Sequence, residues 1–520
     1  MRHFFTFLVL GILTLLSSCR DDFEFESSTG GLEFSKQTVY LDTVFTNIGS
    51  STYTLKVYNR SDKDIKIPTV QLSQGNNSKY RITVDGMMGE DNDGNGIGDG
   101  KIFKNVELLA NDSLFIFIET TIDYSEFNGP NSQYLYTDKI EFSNISSAPQ
   151  TVDLVTLVKD AVFIKPNRTL PANIKEKLIL NGEASDIIGH ELSTPEELNW
   201  TSSKPYVVYG YALVPNGKTL NIAQGTKVHF HADSGLIVDD TGTLNIDGNA
   251  STYNPDGTVA IDNEVVFESD RLEYDFSEVP GQWGTVLLFS GNNNTINHLT
   301  IKNAAVGIFI QRIKETTTPK LKITNSQIYN CSNNGILART ATIEGENLVI
   351  NNCGNSSLSC SLGGNYSFKH CTIANYWSRP NQTCLTLDND GAAINARFDN
   401  CIIYGSTNYS LALKKVSGFN FDYLFNHCMI KFFDFGQFQN DPLYPIANTA
   451  NYPGCLIAKT SSTNKPVFKN PSKNQFIIGS TSDAVAKGDV LTIPVPKDIL
   501  GKDRPTATPP DLGAYNSITF

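Results

Sequence analysis

Between residues 298 and 432 one six-residue arrangement of apolar and polar positions recurs six times, at 298–303, 325–330, 347–352, 370–375, 400–405 and 427–432. The first copy reads His298-Leu299-Thr300-Ile301-Lys302-Asn303, and the central isoleucines of successive copies are 27, 22, 23, 30 and 27 residues apart. The second position runs Leu, Ser, Leu, Cys, Cys, Cys, and the fourth is always Ile. In an extended chain alternate side chains share a face, so these two columns point to one interior. The third and fifth positions face the other way. They are Thr300, Gln327, Val349, Thr372, Ile402 and Met429, and Lys302, Tyr329, Asn351, Ala374, Tyr404 and Lys431. Asn or His opens every copy and Asn usually closes it; Asn accepts tight-turn dihedrals and bonds neighbouring backbone, so a ladder at each corner is expected. One strand phrase per repeat at this period predicts a β-solenoid whose turns carry insertions while its strands keep register.

The same alternation extends on both sides. Residues 32–160 carry short alternating segments such as Thr52–Tyr58, Leu114–Ile118 and Val152–Leu157, which predict a β-sandwich. The order of "VFTNIGSSTYTLKVYNRSDKDIKI", "NDSLFIFIETTI" and "DKIEFSN" resembles the immunoglobulin-like modules of bacterial envelope proteins. The proline-rich stretch 161–205 reads as a linker or a cap over the first coil, because a solenoid end exposes an open ladder. From Tyr206 the text "TLNIAQGTKVHF…GLIVDDTGTLNIDG…VVF…GQWGTV" is similar to the opening coils of right-handed parallel β-helix proteins of the pectin-lyase-like class. With the repeats, that resemblance covers 206–480 and implies about 12 coils. Residues 481–520, with Asp503-Arg504 and Pro510 to Tyr515, look like the closing segment of such proteins. The expected fold is all-β: an N-terminal Ig-like β-sandwich followed by a right-handed parallel β-helix solenoid.

The N-terminus reads as a processing signal. Arg2 and His3 precede an apolar run from Phe4 to Leu16, too short for a mature membrane span. Leu16-Ser17-Ser18-Cys19 resembles the lipobox of bacterial lipoproteins, which implies cleavage before Cys19 and its lipidation. More than one acyl chain there would anchor the protein stably. Arg20 in place of Asp, and the acidic Asp21-Asp22-Phe23-Glu24, imply sorting to the outer membrane and its exterior face. Residues 20–31 then read as an acidic tether. The 520-residue chain carries a formal charge of −13 with only 18% charged residues, which excludes generic nucleic-acid binding.

Eight cysteines remain after Cys19, all between 331 and 455. Three, Cys371, Cys401 and Cys428, fall in the inward column, and Cys331 and Cys353 share another column three residues after the central Ile; they read as small buried hydrophobes, although export would also permit disulfides. None has zinc-ligand spacing. Within the sandwich, Asp91-Asn92-Asp93-Gly94-Asn95-Gly96-Ile97-Gly98-Asp99 resembles the acidic calcium loops of thrombospondin type 3 repeats. Oxygen ligands at Asp91, Asp93, Asn95 and Asp99 with Gly at the sixth position suit calcium, though Ile102 stands where a closing carboxylate belongs. The alternative there is a solvated turn, and no cofactor is otherwise required.

The residues leave catalysis open and lean against an enzyme. A lyase of this class needs carboxylates for calcium and a nearby Lys or Arg, yet the twelve outward positions hold no carboxylate. Of the four pectin-hydrolase motifs only Asp239-Asp240 and Arg312-Ile313-Lys314 occur, and both read as coincidence. Asp388-Asn389-Asp390-Gly391, with Lys414, Lys415 and Arg397, is the best remaining acidic cluster and reads chiefly as a turn. His229 and His231 share a strand face expected to meet solvent, while His298, His370 and His427 belong to the corner ladder. Tyr329, Tyr404, Tyr376 and Trp377 would serve as sugar-stacking platforms or pack under loops. The expectation is a cell-surface lipoprotein whose β-helix binds glycan or a protein partner, non-catalytically. The alternative is a divergent polysaccharide lyase or glycoside hydrolase on the same fold.

Overall fold

The structure is a computed structural model that describes residues 24–92, 94–127, 132–169, 174–254, 259–445 and 447–520. Cys19 and Asp93 lie outside the described residues. The chain divides into two compact units between Asp160 and Ala161, and both are built from β-strands.

The first unit is an immunoglobulin-like sandwich. One sheet runs Glu26–Ser27, Ile65–Leu72, Gln133–Phe142, Gln150–Lys159, Thr38–Phe45, with Ile102–Leu108 also paired to Ile65–Leu72; the other runs Glu33–Phe34, Tyr53–Tyr58, Ser113–Thr120, Tyr80–Val84. Period-two alternation decides which side chains are inside: Leu114, Ile116 and Ile118 are buried while Phe115 and Phe117 are exposed. Thr38–Phe45 lies parallel to Gln150–Lys159, so an early and a late strand close one sheet. Part of the stretch expected as a free tether is in the sandwich: Glu26–Ser27 pairs with Ile65 and Lys66, and Ser28 is buried. The backbone bonds of that pairing supply the order that its polar composition hid.

The second unit is a parallel β-helix. Its coils place one strand each in an 11-stranded parallel sheet and further strands in a 17-stranded sheet, parallel except for the hairpin Lys177–Leu180/Glu183–Glu191 at its start. Residues 161–205 do more than link. Val162–Ile164 pairs with Tyr206–Val208, Gly189 to Glu191 pair with Tyr211 to Leu213, and Asn199–Trp200 pairs with Asn221 and Ile222. The interior is one continuous apolar column in which stacking repeats coil by coil. Phe368, Phe398, Phe425 and Tyr452 lie with ring centroids 5.3, 5.0 and 5.1 Å apart. Trp283 stacks on Phe230 at 4.4 Å and donates its Nε1–H to the carbonyl of Lys302. The neighbouring Gly284 is required because a Cβ there would meet the Tyr211 hydroxyl and the Ser234 carbonyl.

The repeated phrase sits where its pattern places it. Leu299, Leu348, Cys371, Cys401 and Cys428 and all six central isoleucines are buried. The opening residue of every copy is left-handed: φ is 48° at His298, 50° at Asn325, 53° at Asn347, 50° at His370, 56° at Asn400 and 48° at His427. Left-handed backbone is strained for most side chains and least so for Asn and a few polar residues. Asn347 Nδ2 donates to Asn325 Oδ1 at 2.9 Å, and Asn325 Nδ2 to Asn297 Oδ1 at 2.9 Å. The closing Asn303, Asn330 and Asn352 are left-handed too, and Asn352 donates to Asn330 at 2.5 Å. The eight cysteines among the described residues are free thiols.

The outward columns differ from expectation. Val349, Thr372, Ala374, Ile402, Met429 and Asn351 point away from the coil but are buried, because the chain's own C-terminal segment lies over them. Phe476, Ile499, Ala514 and Tyr515 pack on Val349 and Ala374; Ile478, Ala484 and Leu512 pack on Ile402 and Met429. Arg504 fixes this cover: its Nη2 donates to Asn347 Oδ1 at 3.0 Å and to the carbonyls of Gly513 and Ala514 at 3.1 and 2.9 Å. Much of the long outer face is therefore occupied from within.

Candidate functional site

Each strand of the 11-stranded sheet is followed by a turn, and these turns differ widely in length. Residues 303–307, 332–335, 354–355 and 406–410 make short turns, whereas 270–285, 376–382 and 432–455 are long. Because coils stack at a fixed rise of about 4.8 Å, long turns stand up as walls and short ones form the floor between them.

The first cleft lies between 270–285 and 376–382, with 471–474 of the C-terminal segment along one side, and has a volume of about 420 Å³. Its floor is Asn330, Asn351 and Asn352; Trp377 and Arg379 come from one wall and Glu278 from the other. The amides are set by the fold. Asn330 Nδ2 donates to Glu278 Oε2 at 2.5 Å, and Asn351 Nδ2 donates to Asn474 Oδ1 at 3.3 Å. Tyr376 packs against Phe468 and Phe476, which roots the wall in the C-terminal segment. The burial this brings pushes the Tyr376 phenol above its ordinary value. Arg379, by contrast, is exposed and makes no ion pair among the described residues. The second cleft, of about 560 Å³, lies between 376–382 and 432–455 over the short turn 406–410.

Towards the N-terminal end the outward columns become charged. Lys302 Nζ meets Glu268 Oε2 at 2.7 Å, and Glu268 Oε1 lies 3.5 Å from His229 Nδ1. Burial alone would lift the Glu268 carboxyl, but His229 and Lys302 together hold it below the usual carboxylate range. Glu264, which accepts from Thr300 Oγ1 at 3.3 Å, is raised by burial that this bond only partly offsets. His229 corrects an expectation: it is buried under Glu268 and Ser269 rather than facing solvent. His231 is exposed, paired with Asp270 at 2.8 Å.

The other sequence candidates take part in local hydrogen bonds and ion pairs. Asp91 accepts backbone N–H bonds from Gly94 and Gly96 at 2.7 Å and from Asn95 at 3.2 Å; Asn95 accepts from Ile97 at 2.8 Å and Asp99 from Asn92 at 2.9 Å. Asp388 accepts from the N–H groups of Leu362 and Asp390, and Asp390 pairs with Lys414 at 2.8 Å on the surface. The two hydrolase-like fragments do meet, since Lys314 Nζ binds Asp240 at 2.7 Å and Thr317 adds a 2.6 Å bond. Burial opposes the Asp240 charge, and these two partners hold its pKa down regardless. The pair pins the turn that follows Ile308–Gln311. Among the aromatic platforms only Trp377 lines a cleft without being packed under the C-terminal segment. Glu278, Arg379 and Asn474 carry no local signal in sequence. The one hint is repeat spacing, since the longest interval, 30 residues between Ile373 and Ile403, contains the 376–382 wall.

No family model matches the chain, and no curated protein matches it. Among solved structures, about a quarter of the chain is similar to parts of several proteins, including the following three. A family 123 glycoside hydrolase from Clostridium perfringens matches at 11% identity over 26% of this chain and 30% of that one, with a TM-score of 0.17. The E. coli chaperone DraB matches at 14% identity over 26% and 58%, with a TM-score of 0.17. The periplasmic chaperone SfaE matches at 14% identity over 25% and 58%, with a TM-score of 0.16. The chain thus spans less than two thirds of each, and at such scores these likenesses carry no functional argument.

Proposed function

We propose that this protein is a lipid-anchored outer-membrane surface protein, held through Cys19, whose β-helix binds a polysaccharide containing acidic sugars. One observation carries the ligand class: the first cleft combines an indole face, an unpaired guanidinium and a floor of asparagine amides. Indole stacks on the apolar face of a sugar ring, amides match its hydroxyls, and a free guanidinium recognises a sugar carboxylate. The lining contains one carboxylate, Glu278, already bonded to Asn330. Glycoside hydrolysis uses a carboxylate pair, so binding is favoured over cleavage. The sandwich serves as a spacer. Calcium at Asp91, Asp93, Asn95 and Asp99 is proposed as a separate ligand of that spacer, for which Asp91, Asn95 and Asp99 would exchange their backbone N–H partners.

The test is a panel of acidic and neutral polysaccharides offered to protein lacking residues 1–19, scored for retention and for cleavage. Trp377→Ala is expected to weaken retention about tenfold or more, within the 1–3 kcal/mol typical of base or ring stacking on an aromatic. Arg379→Gln should remove the preference for acidic polymers. Retention unchanged by Trp377→Ala, or cleavage of any polymer, overturns the reading. For the anchor, Cys19→Ser should move the full chain from the membrane to the soluble fraction.

A further inference from the structure

The second cleft shares its wall with the first but differs from it in chemistry. Its lining contains no charged side chain; it is made of amides and hydroxyls from Asn381, Gln382, Thr383, Thr407 and Asn408, closed by the Tyr409 and Phe438 rings. Asn381 and Asn408 are exposed, and their side-chain amides form no hydrogen bond among the described residues. Behind them are two polar atoms screened from solvent and without a hydrogen-bond partner among the described residues: Gln382 Oε1 and Thr383 Oγ1. Gln382 is only 4% exposed, and its other amide atom is committed, donating to Ser406 Oγ at 2.7 Å. Buried acceptors are nearly always satisfied in folded proteins, so an orphan pair in the wall of an amide-lined cleft points to a hydroxyl donor from outside.

Position gives the relation between the clefts. The floor of the first includes the coil of Val349–Cys353, and that of the second follows Ile402–Gly405; these are two strands apart in the sheet. Two rises come to about 10 Å, the length of a disaccharide unit in an extended glycan. The wall between them is tied down, because Gln382 and Ser406 both donate to the carbonyl of Trp377.

We infer that the second cleft is an uncharged sugar subsite, so that the ligand is an extended oligosaccharide running across the 376–382 wall rather than a terminal sugar or disaccharide. Asn381, Asn408, Gln382 and Thr383 address its hydroxyls, and Tyr409 and Phe438 its ring faces. This rests on the glycan-binding reading of the first cleft, and the experiment separates the two.

Binding of oligosaccharides of two and six residues, prepared from alginate, polygalacturonate and a neutral β-glucan, is measured by calorimetry for the wild type and four variants. The six-residue member of at least one series should bind tenfold or more tighter than its two-residue member. Asn408→Ala and Asn381→Ala should remove most of that gain and leave two-residue binding unchanged. Thr383→Val, which deletes the orphan hydroxyl while keeping the shape, should leave the melting temperature equal or higher yet lose part of the gain. Trp377→Ala should weaken both lengths. Equal binding of both lengths, or a length gain untouched by Asn408→Ala, Asn381→Ala and Thr383→Val, overturns the second subsite while leaving the first cleft intact. Failure of every probe to bind overturns both.

Discussion

The outer face of the 11-stranded sheet has two halves built on the same strands, with opposite fates. From Val349 to Met429 its outward residues are mostly apolar and lie under the C-terminal segment; from Lys227 to Lys302 they include Lys227, His229, Glu264, Glu268 and Lys302, with His229 and Lys302 meeting Glu268, Lys227 meeting Asp262 and Glu264 accepting from Thr300. The hydrogen bonds from the C-terminal segment to this sheet and its corners run from Gln327 to Asn426. Backbone pairing is alike in both halves, so the outward side chains decide what each face can do. Burying an Ile or Met stabilises by about 1.5–3 kcal/mol, which draws a covering segment onto one half. Covering the other half would strip water from several charges, a penalty that pairing seldom recovers in full.

The harshest test of that contrast is to make the covered half resemble the charged one. Ile402→Asp would bury a carboxylate against Met429 and Leu512, with an expected loss of about 4 kcal/mol or more. It should also expose residues 459–464 to protease while the solenoid still melts cooperatively. Unchanged proteolysis would show that apolar contact does not hold the cover. Arg504→Ala is expected to cost about 3 kcal/mol, because it leaves Asn347 and two carbonyls without their buried donor.

The charged half gives smaller effects with a pH signature. Glu268 is held below its usual value, so its contribution is present above about pH 4.3 and fades as pH falls through the depressed value. Lys302→Met should remove about 1–2 kcal/mol at neutral pH and flatten the acid limb of a stability–pH curve. A cluster at the start of the solenoid has the opposite sign. His190 bridges Glu176 at 3.1 Å and Glu197 at 2.9 Å. Burial disfavours its charge, yet the two carboxylates raise its pKa above the ordinary imidazole value. Its contribution is thus full below about pH 6.5 and lost as pH rises through the raised value. His190→Gln should flatten that neutral-to-alkaline limb and leave the Glu268 response in place. The smallest effect is expected from the cysteine column. Cys401→Ala removes one buried sulfur, costing about 1 kcal/mol. Thiol reagents should label Cys371, Cys401 and Cys428 only on unfolding, since burial raises each thiol well above its ordinary pKa.

Much of the architecture was legible in the chain because the signals are local. A period of two places Ile301 and its five equivalents inside, and left-handed corners select the Asn and His that open each phrase. The order in Glu26–Ser27 and in 161–205 was not legible, since both gain it by pairing with strands far along the chain. The burial of His229 was hidden for a related reason: alternation says which way a side chain leaves the strand, and nothing about what lies over it.

The sequence by itself therefore determined the all-β class, the coil, its inward columns and its corner ladders, each a matter of a residue and its near neighbours in strand register. Only the tertiary structure decided which part of the outer face is covered, which asparagine amides stay free, and where Glu278, Arg379 and Asn474 converge. Those outcomes depend on contacts between residues as far apart as Asn347 and Arg504, and on turns whose lengths acquire meaning only once the coils are stacked.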